Sequence, residues 1–167
     1  MSDEGCIFCA GYISRQGLLY ETDNFYFRAN MKGALAPGHA MLISKKHLSC
    51  FGEMQEHLDG EYLESVEQMK ARIACLFSPP ILLEQGMHGQ SVNHAHLHFI
   101  PSVSDWYNFA NYRFADYIPK EIRIDRAKGI SDIHRVFNED GQYVSIEERG
   151  ELSICRTKGY KGLLRPA

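Results

Sequence analysis

The stretch "NHAHLHFIP", Asn93 to Pro101, constrains this chain more than any other. His94, His96 and His98 stand at i, i+2, i+4, and Ala95, Leu97 and Phe99 fill the gaps. A strand sends successive side chains to opposite faces. The spacing therefore predicts a row of imidazoles about 6–7 Å apart on one face, with the apolar residues buried behind it. Such a row admits three readings. Neutral imidazole binds zinc; a neutral histidine can attack phosphorus while another steadies negative charge; or the strand carries a histidine-rich solvated face. Spacing does not divide roles among the three.

The residues just ahead add to this. "GMHGQSV" sets two glycines beside Gln90 and Ser91. Glycine lets backbone N–H groups approach a ligand, and the two side chains add neutral donors, the makings of a phosphate cradle.

Around this stretch the pattern is that of an α+β chain: an antiparallel sheet with one long helix against a face. "LLYETDNFYFRAN" (18–30) predicts two strands about a turn at Thr22-Asp23-Asn24, and His39 to Ser44 a third after Pro37-Gly38. From about Glu53 to Phe77, Leu58, Tyr62, Val66, Met69, Ile73 and Phe77 recur at helical spacing until Ser78-Pro79-Pro80 stops the ladder. "ILLEQ" follows as a buried strand. Near the end, "DIHRVFNEDGQYVSIEE" predicts a hairpin turning at Glu139-Asp140-Gly141. No linker divides the chain, which points to one domain over 1–167.

Cys6 and Cys9 form a C-x-x-C near the N-terminus, open to a metal knuckle, a redox pair or coincidence. Cys50, Cys75 and Cys155 are expected to be ordinary buried thiols. His47, taken alone, is as readily a surface histidine at a strand end.

Four motifs, in order, resemble the histidine triad (HIT) superfamily: "CIFC" (6–9), "APGHAMLISKKH" (36–47), "GQSV" (89–92) and "HAHLHFI" (94–100). The resemblance implies a HIT-like fold over a core of about residues 5–101, with a C-terminal extension over about 102–167. It implies a nucleotide hydrolase or nucleotidyl transferase acting at the α-phosphate, similar to dinucleoside polyphosphate hydrolases. His96 would be the nucleophile, and His98 would contact phosphate and help the leaving group depart. Gln90 and Ser91 match phosphate-holding positions, and His39 matches a supporting histidine. In zinc-bearing members the first triad histidine joins two cysteines and an upstream histidine, here Cys6, Cys9, His47 and His94, in a closed structural site. The alternative is a non-catalytic nucleotide-binding or zinc-stabilised interaction module of the same fold. Members are commonly dimers, which makes a homodimer an expectation by analogy.

The chain departs from the family pattern twice. Glu84 or Gln85 stands where many members carry an asparagine, and a glutamate there repels phosphate unless it is turned away or protonated. The loop after the second strand, "RANMKGALAPGH", offers Asn30 and Lys32 but no acidic residue for the ribose, which leaves Asn30 as the candidate contact. Beyond Pro101, Trp106, Tyr107, Phe109, Tyr112 and Phe114 either cover the pocket or stack on a base, or else pack the sheet's exposed side or a dimer interface. Residues 120–128, mixed in charge, fit a solvated face.

Composition sets the outer limits. Eighteen basic against twenty-one acidic residues, a net charge of −3, argue against a broad nucleic-acid footprint. No apolar run reaches the roughly 18 residues of a membrane span. The acidic start "MSDEGCIFC" lacks a signal peptide's basic and apolar regions, so a cytoplasmic protein is expected, while the small-molecule nucleotide substrate is what the family resemblance implies.

Overall fold

The computed structural model describes residues 5–9, 15–86, 90–101 and 123–158. The strands are β1 (Leu18–Glu21), β2 (Phe25–Ala29), β3 (Ala40–Ser44), β4 (Pro80–Glu84), β5 (His96–Pro101), β6 (Arg123–Ala127), β7 (Tyr143–Glu148) and β8 (Glu151–Arg156). They form one eight-stranded sheet in the order β1-β2-β3-β5-β4-β7-β8-β6. Every pairing is antiparallel. The fold is α+β, as expected.

The sheet separates two environments. On one face Phe25, Phe27, Leu42, Leu82, Leu97 and Phe99 meet the buried stripe of helix α1 (Asp59–Leu76): Tyr62, Val66, Met69 and Ile73. Period 2 in the strands and period 3.6 in the helix thus bury one continuous core. The residues alternating with Leu97 and Phe99 point the other way. In register, Ile43 pairs with His96, and Met41 pairs with His98. The histidine row therefore sits on a face whose rigidity comes from the core beneath it.

The helix begins later than its pattern suggests. Residues 51–58 form two short 3₁₀ turns, Phe51–Glu53 and Glu56–Leu58, before α1 starts at Asp59. Phe51 is wholly buried and its N–H donates to Glu84 across the core, which ties the chain down there. Phe77, expected in the stripe, is half exposed beyond the helix end. Cys50 and Cys155 are buried thiols, but Cys75 is exposed, since it lies two residues past Ile73 and so on the solvent side of α1.

The expected hairpin about Glu139-Asp140-Gly141 is absent. Ile130–Asp140 is helix α2, with Ile130, Ile133, His134 and Val136 buried. Gly141, at φ 74°, caps it in the left-handed region, its N–H bonded to the Phe137 carbonyl. An Asp-Gly pair serves a helix end as well as a strand turn, and here the helical spacing ahead of it decides. The hairpin that does form joins β7 to β8 through Arg149 and Gly150, at φ 54° and 79°, the two positive angles of a type I′ turn. The charge-mixed stretch contains β6, an edge strand whose Arg123 and Arg126 face solvent.

Glu84 ends β4 on the helix side, 1% exposed, away from the histidines. It accepts 2.7 Å hydrogen bonds from the Phe51 N–H and the Tyr143 hydroxyl, joining the first half of the chain to β7. Burial pushes its pKa up from 4.5 to about 7, against the pull of those donors. The folded state therefore holds a proton that the unfolded chain releases. Stability from this group is greatest at low pH and falls as pH rises from 4.5 to 7. Glu84→Gln removes that dependence. The melting temperature of the variant relative to wild type should climb between about pH 5 and pH 8, by roughly 2–4 °C per kcal/mol for a chain of this size. A difference that stays constant with pH contradicts this assignment.

Candidate functional site

The histidine face carries two linked constellations. The first gathers Cys6 and Cys9 from the N-terminal knuckle, His47 from the loop after β3, and His94 just ahead of β5; one donor atom of each lies within 4.8 Å of the others. Cys6 Sγ is 3.3 Å and Cys9 Sγ 3.7 Å from His94 Nδ1, and Cys9 Sγ is 3.2 Å from His47 Nδ1. Tetrahedral zinc with standard bond lengths separates its sulfur and nitrogen ligands by about 3.5 Å, so the four groups fit. His94 Nε2 lies 2.7 Å from the Ser44 carbonyl, which can only accept. The proton is thus on Nε2, and Nδ1 turns a lone pair to the sulfurs. The outer hydrogen bond orients the ring as a metal ligand requires. This cluster could hold a metal ion.

The second constellation starts from the same residue. The His94 carbonyl accepts a 2.6 Å hydrogen bond from His96 Nδ1. That fixes the neutral tautomer of His96 with its lone pair on Nε2. Burial holds its pKa below the usual imidazole range, only partly opposed by that hydrogen bond. Next to it, with ring centroids 4.9 Å apart, is His98. The Leu35 N–H donates to His39 Nδ1 at 3.0 Å, so His39 carries its proton on Nε2 and donates to His98 Nδ1, also at 3.0 Å. His98 must then carry its own proton on Nε2. Burial lowers His39 to about 4; burial first, then the neighbouring His96 and His39, lower His98 to about 3. Near neutral pH the row therefore offers one nitrogen lone pair, on His96, beside one N–H donor, on His98.

Asn30 lies in this network, its Nδ2 3.3 Å from His39 Nδ1. Gln90 Nε2 donates to the Ser49 carbonyl at 2.9 Å, holding the segment that leads into β5 to the loop after β3. Ser91 is exposed beside it. Met87, His88 and Gly89 of the glycine-rich loop lie outside the described residues, as do the five aromatics between Trp106 and Phe114.

Sequence reasoning passed over Phe8. Its ring meets His96 edge-on at 5.4 Å between centroids and His94 at 5.9 Å. It also packs with Tyr26, Met41 and Ile43 in a small apolar cluster on this face. The signal was its place between the two cysteines: whatever folds the knuckle brings Phe8 onto the histidines.

The sequence carries the HIT domain over residues 14–105, and the chain belongs to that family. No curated protein matches it. Among solved structures, a HIT family member from Bacillus subtilis is 22% identical, covering 71% of this chain and 100% of that one, with a TM-score of 0.51. A HIT family hydrolase from Clostridium thermocellum is 23% identical over 62% of this chain and 95% of that one (TM-score 0.47). A hypothetical histidine triad nucleotide-binding protein from Sulfolobus tokodaii is 24% identical over 53% of this chain (TM-score 0.46), and the chain spans 61% of that protein. At these identities the likeness is one of fold. No helix among the described residues is long and apolar enough to cross a membrane.

A metal in the cysteine–histidine cluster would cross-link the knuckle to the sheet, so its removal should loosen both. The purified chain is expected to carry about one equivalent of metal, and a Cys6→Ser/Cys9→Ser variant to lose it and melt several degrees lower. A metal-free wild type with the variant's melting temperature contradicts the assignment.

Proposed function

We propose that this chain is a nucleotide hydrolase or nucleotidyl transferase that works through a nucleotidyl-histidine on His96. The observation that carries the reading is the His96 hydrogen bond to the His94 carbonyl, because it leaves Nε2 unprotonated and aimed away from the core. The Nε2 lone pair attacks the α-phosphorus, a P–N bond forms, and the bond to the leaving group breaks. The phosphorylated ring becomes cationic, and the His94 carbonyl is already placed against its Nδ1–H. His98 Nε2–H hydrogen-bonds a phosphate oxygen and steadies the charge that gathers there. Water then attacks phosphorus, the P–N bond breaks, and His96 returns neutral with release of a nucleoside monophosphate; another acceptor in place of water carries the nucleotidyl group away on its own oxygen. Gln90, Ser91 and Asn30 complete the phosphate and substrate contacts, and His39 sets the tautomer of His98.

For the metal cluster we propose zinc. Two thiolates and two imidazoles form a closed ligand set with no position left for substrate, so the ion supplies structural cross-linking rather than reaction chemistry. No step at phosphorus involves it.

Turnover of dinucleoside polyphosphates and nucleoside phosphoramidates tests the assignment. His96→Ala is expected to lose at least about a thousandfold in kcat on whichever substrate the wild type accepts, as for removal of other covalent nucleophiles. Binding of nucleoside monophosphate by both proteins, with turnover by neither, favours a binding module instead.

A further inference from the structure

We propose that Arg28 binds a second phosphate of the substrate, separate from the one at the histidines, so that the site selects nucleotides bearing an additional anionic group. This rests on the nucleotide reading of the histidine site and deepens it. Cross-strand register places the residue. Arg28 on β2 is paired with Met41 on β3, and Met41 with His98 on β5. Cross-strand partners share a face, so Arg28 stands on the histidine face, two strands and about 10 Å of backbone from His98. Tyr26, the next β2 residue on that face, is aligned through Ile43 with His96.

Among the described residues, the surroundings of Arg28 contain no charge to answer its own. It is half-buried, and among the described residues its guanidinium has neither a carboxylate nor a hydrogen-bond acceptor. The other partly buried Lys and Arg among the described residues are matched: Lys45 by Glu21 at 2.9 Å, Lys70 by Glu147 at 2.6 Å, and Arg156 by Asp125, Glu139 and Asp140. Glu21, the acid that β1 brings beside Tyr26, is already taken by Lys45. The register neighbours Leu18 and Met41 are apolar, and the loop that follows, from Asn30 to Gly38, holds no acid. A partly desolvated guanidinium without a counter-charge costs stability. Its planar fork is also the side chain best matched to phosphate. An anion brought by the ligand meets both conditions. A neutral ribose hydroxyl would gain little from this residue, and the absence of an acidic ribose contact fits the same ligand class. Two sources supply the chemistry: a phosphate on the ribose, or a distal phosphate of a polyphosphate leaving group.

Equilibrium binding separates them without depending on turnover. For wild type, Arg28→Met and Arg28→Lys, affinities are measured for AMP, adenosine 2′,5′-bisphosphate, adenosine 3′,5′-bisphosphate and ATP. Wild type is expected to prefer at least one of the last three over AMP by about tenfold or more, with a marked salt dependence. In Arg28→Met that preference should collapse toward 1, and Arg28→Lys should restore part of it. A preference for a bisphosphate identifies the ribose side, and one for ATP the leaving-group side. Equal preferences in wild type and Arg28→Met overturn the proposal. So does an equal collapse in Lys32→Met, which would make the effect one of general charge. If the preference depends on Arg28 but no substrate is turned over, the catalytic reading fails while this one stands.

Discussion

The 2.6 Å hydrogen bond from His96 Nδ1 to the His94 carbonyl is the contact on which the rest of the site turns. One residue does two jobs: the His94 side chain joins the cysteine cluster, and its main chain fixes the tautomer of its neighbour. Ring and carbonyl belong to one residue, held by hydrogen bonds from the His94 N–H to the Val92 carbonyl (2.8 Å) and from the Ala95 N–H to the Leu48 carbonyl (2.6 Å), so a change at the ring is felt at the carbonyl. Phe8 adds a second path between the knuckle and His96 by packing against both rings. A structural metal in this chain would therefore serve the reaction by position alone.

The tautomers of the row follow from a chain of donors that begins far from phosphorus. Leu35 N–H, His39, then His98 hand on a single pattern of protonation. It ends with an N–H donor on His98, beside the lone pair that the His94 carbonyl separately fixes on His96, the two functions that nucleophilic attack on a phosphate needs side by side. Burial keeps all three rings neutral near physiological pH, because each would lose more solvation as a cation than the site returns.

Much of this was legible in the sequence, and for identifiable reasons. The period-2 alternation of His96, Leu97, His98 and Phe99 fixes both the strand and its faces. The grouping of Cys6, Cys9, His47 and His94 was reachable only through the family resemblance, since nothing in the spacing of His47 distinguishes it from a surface histidine. The second half of the chain was less legible. Asp140-Gly141 fits two kinds of chain reversal, and the choice depended on burying Ile130, Ile133 and Val136 against a sheet whose order no local pattern gives. Glu84 looked hostile to phosphate because its facing was unknown; it is held in the core by Phe51 and Tyr143. Arg28 is similar, for its placement rests on register across three strands.

The most direct test is chemical trapping. The wild-type chain is mixed with a nucleoside phosphoramidate, quenched under alkaline conditions that preserve phosphohistidine, digested and analysed by mass. The account predicts a nucleoside monophosphate adduct confined to His96. An adduct on His98 or His39, or steady turnover with no adduct on any histidine, contradicts it.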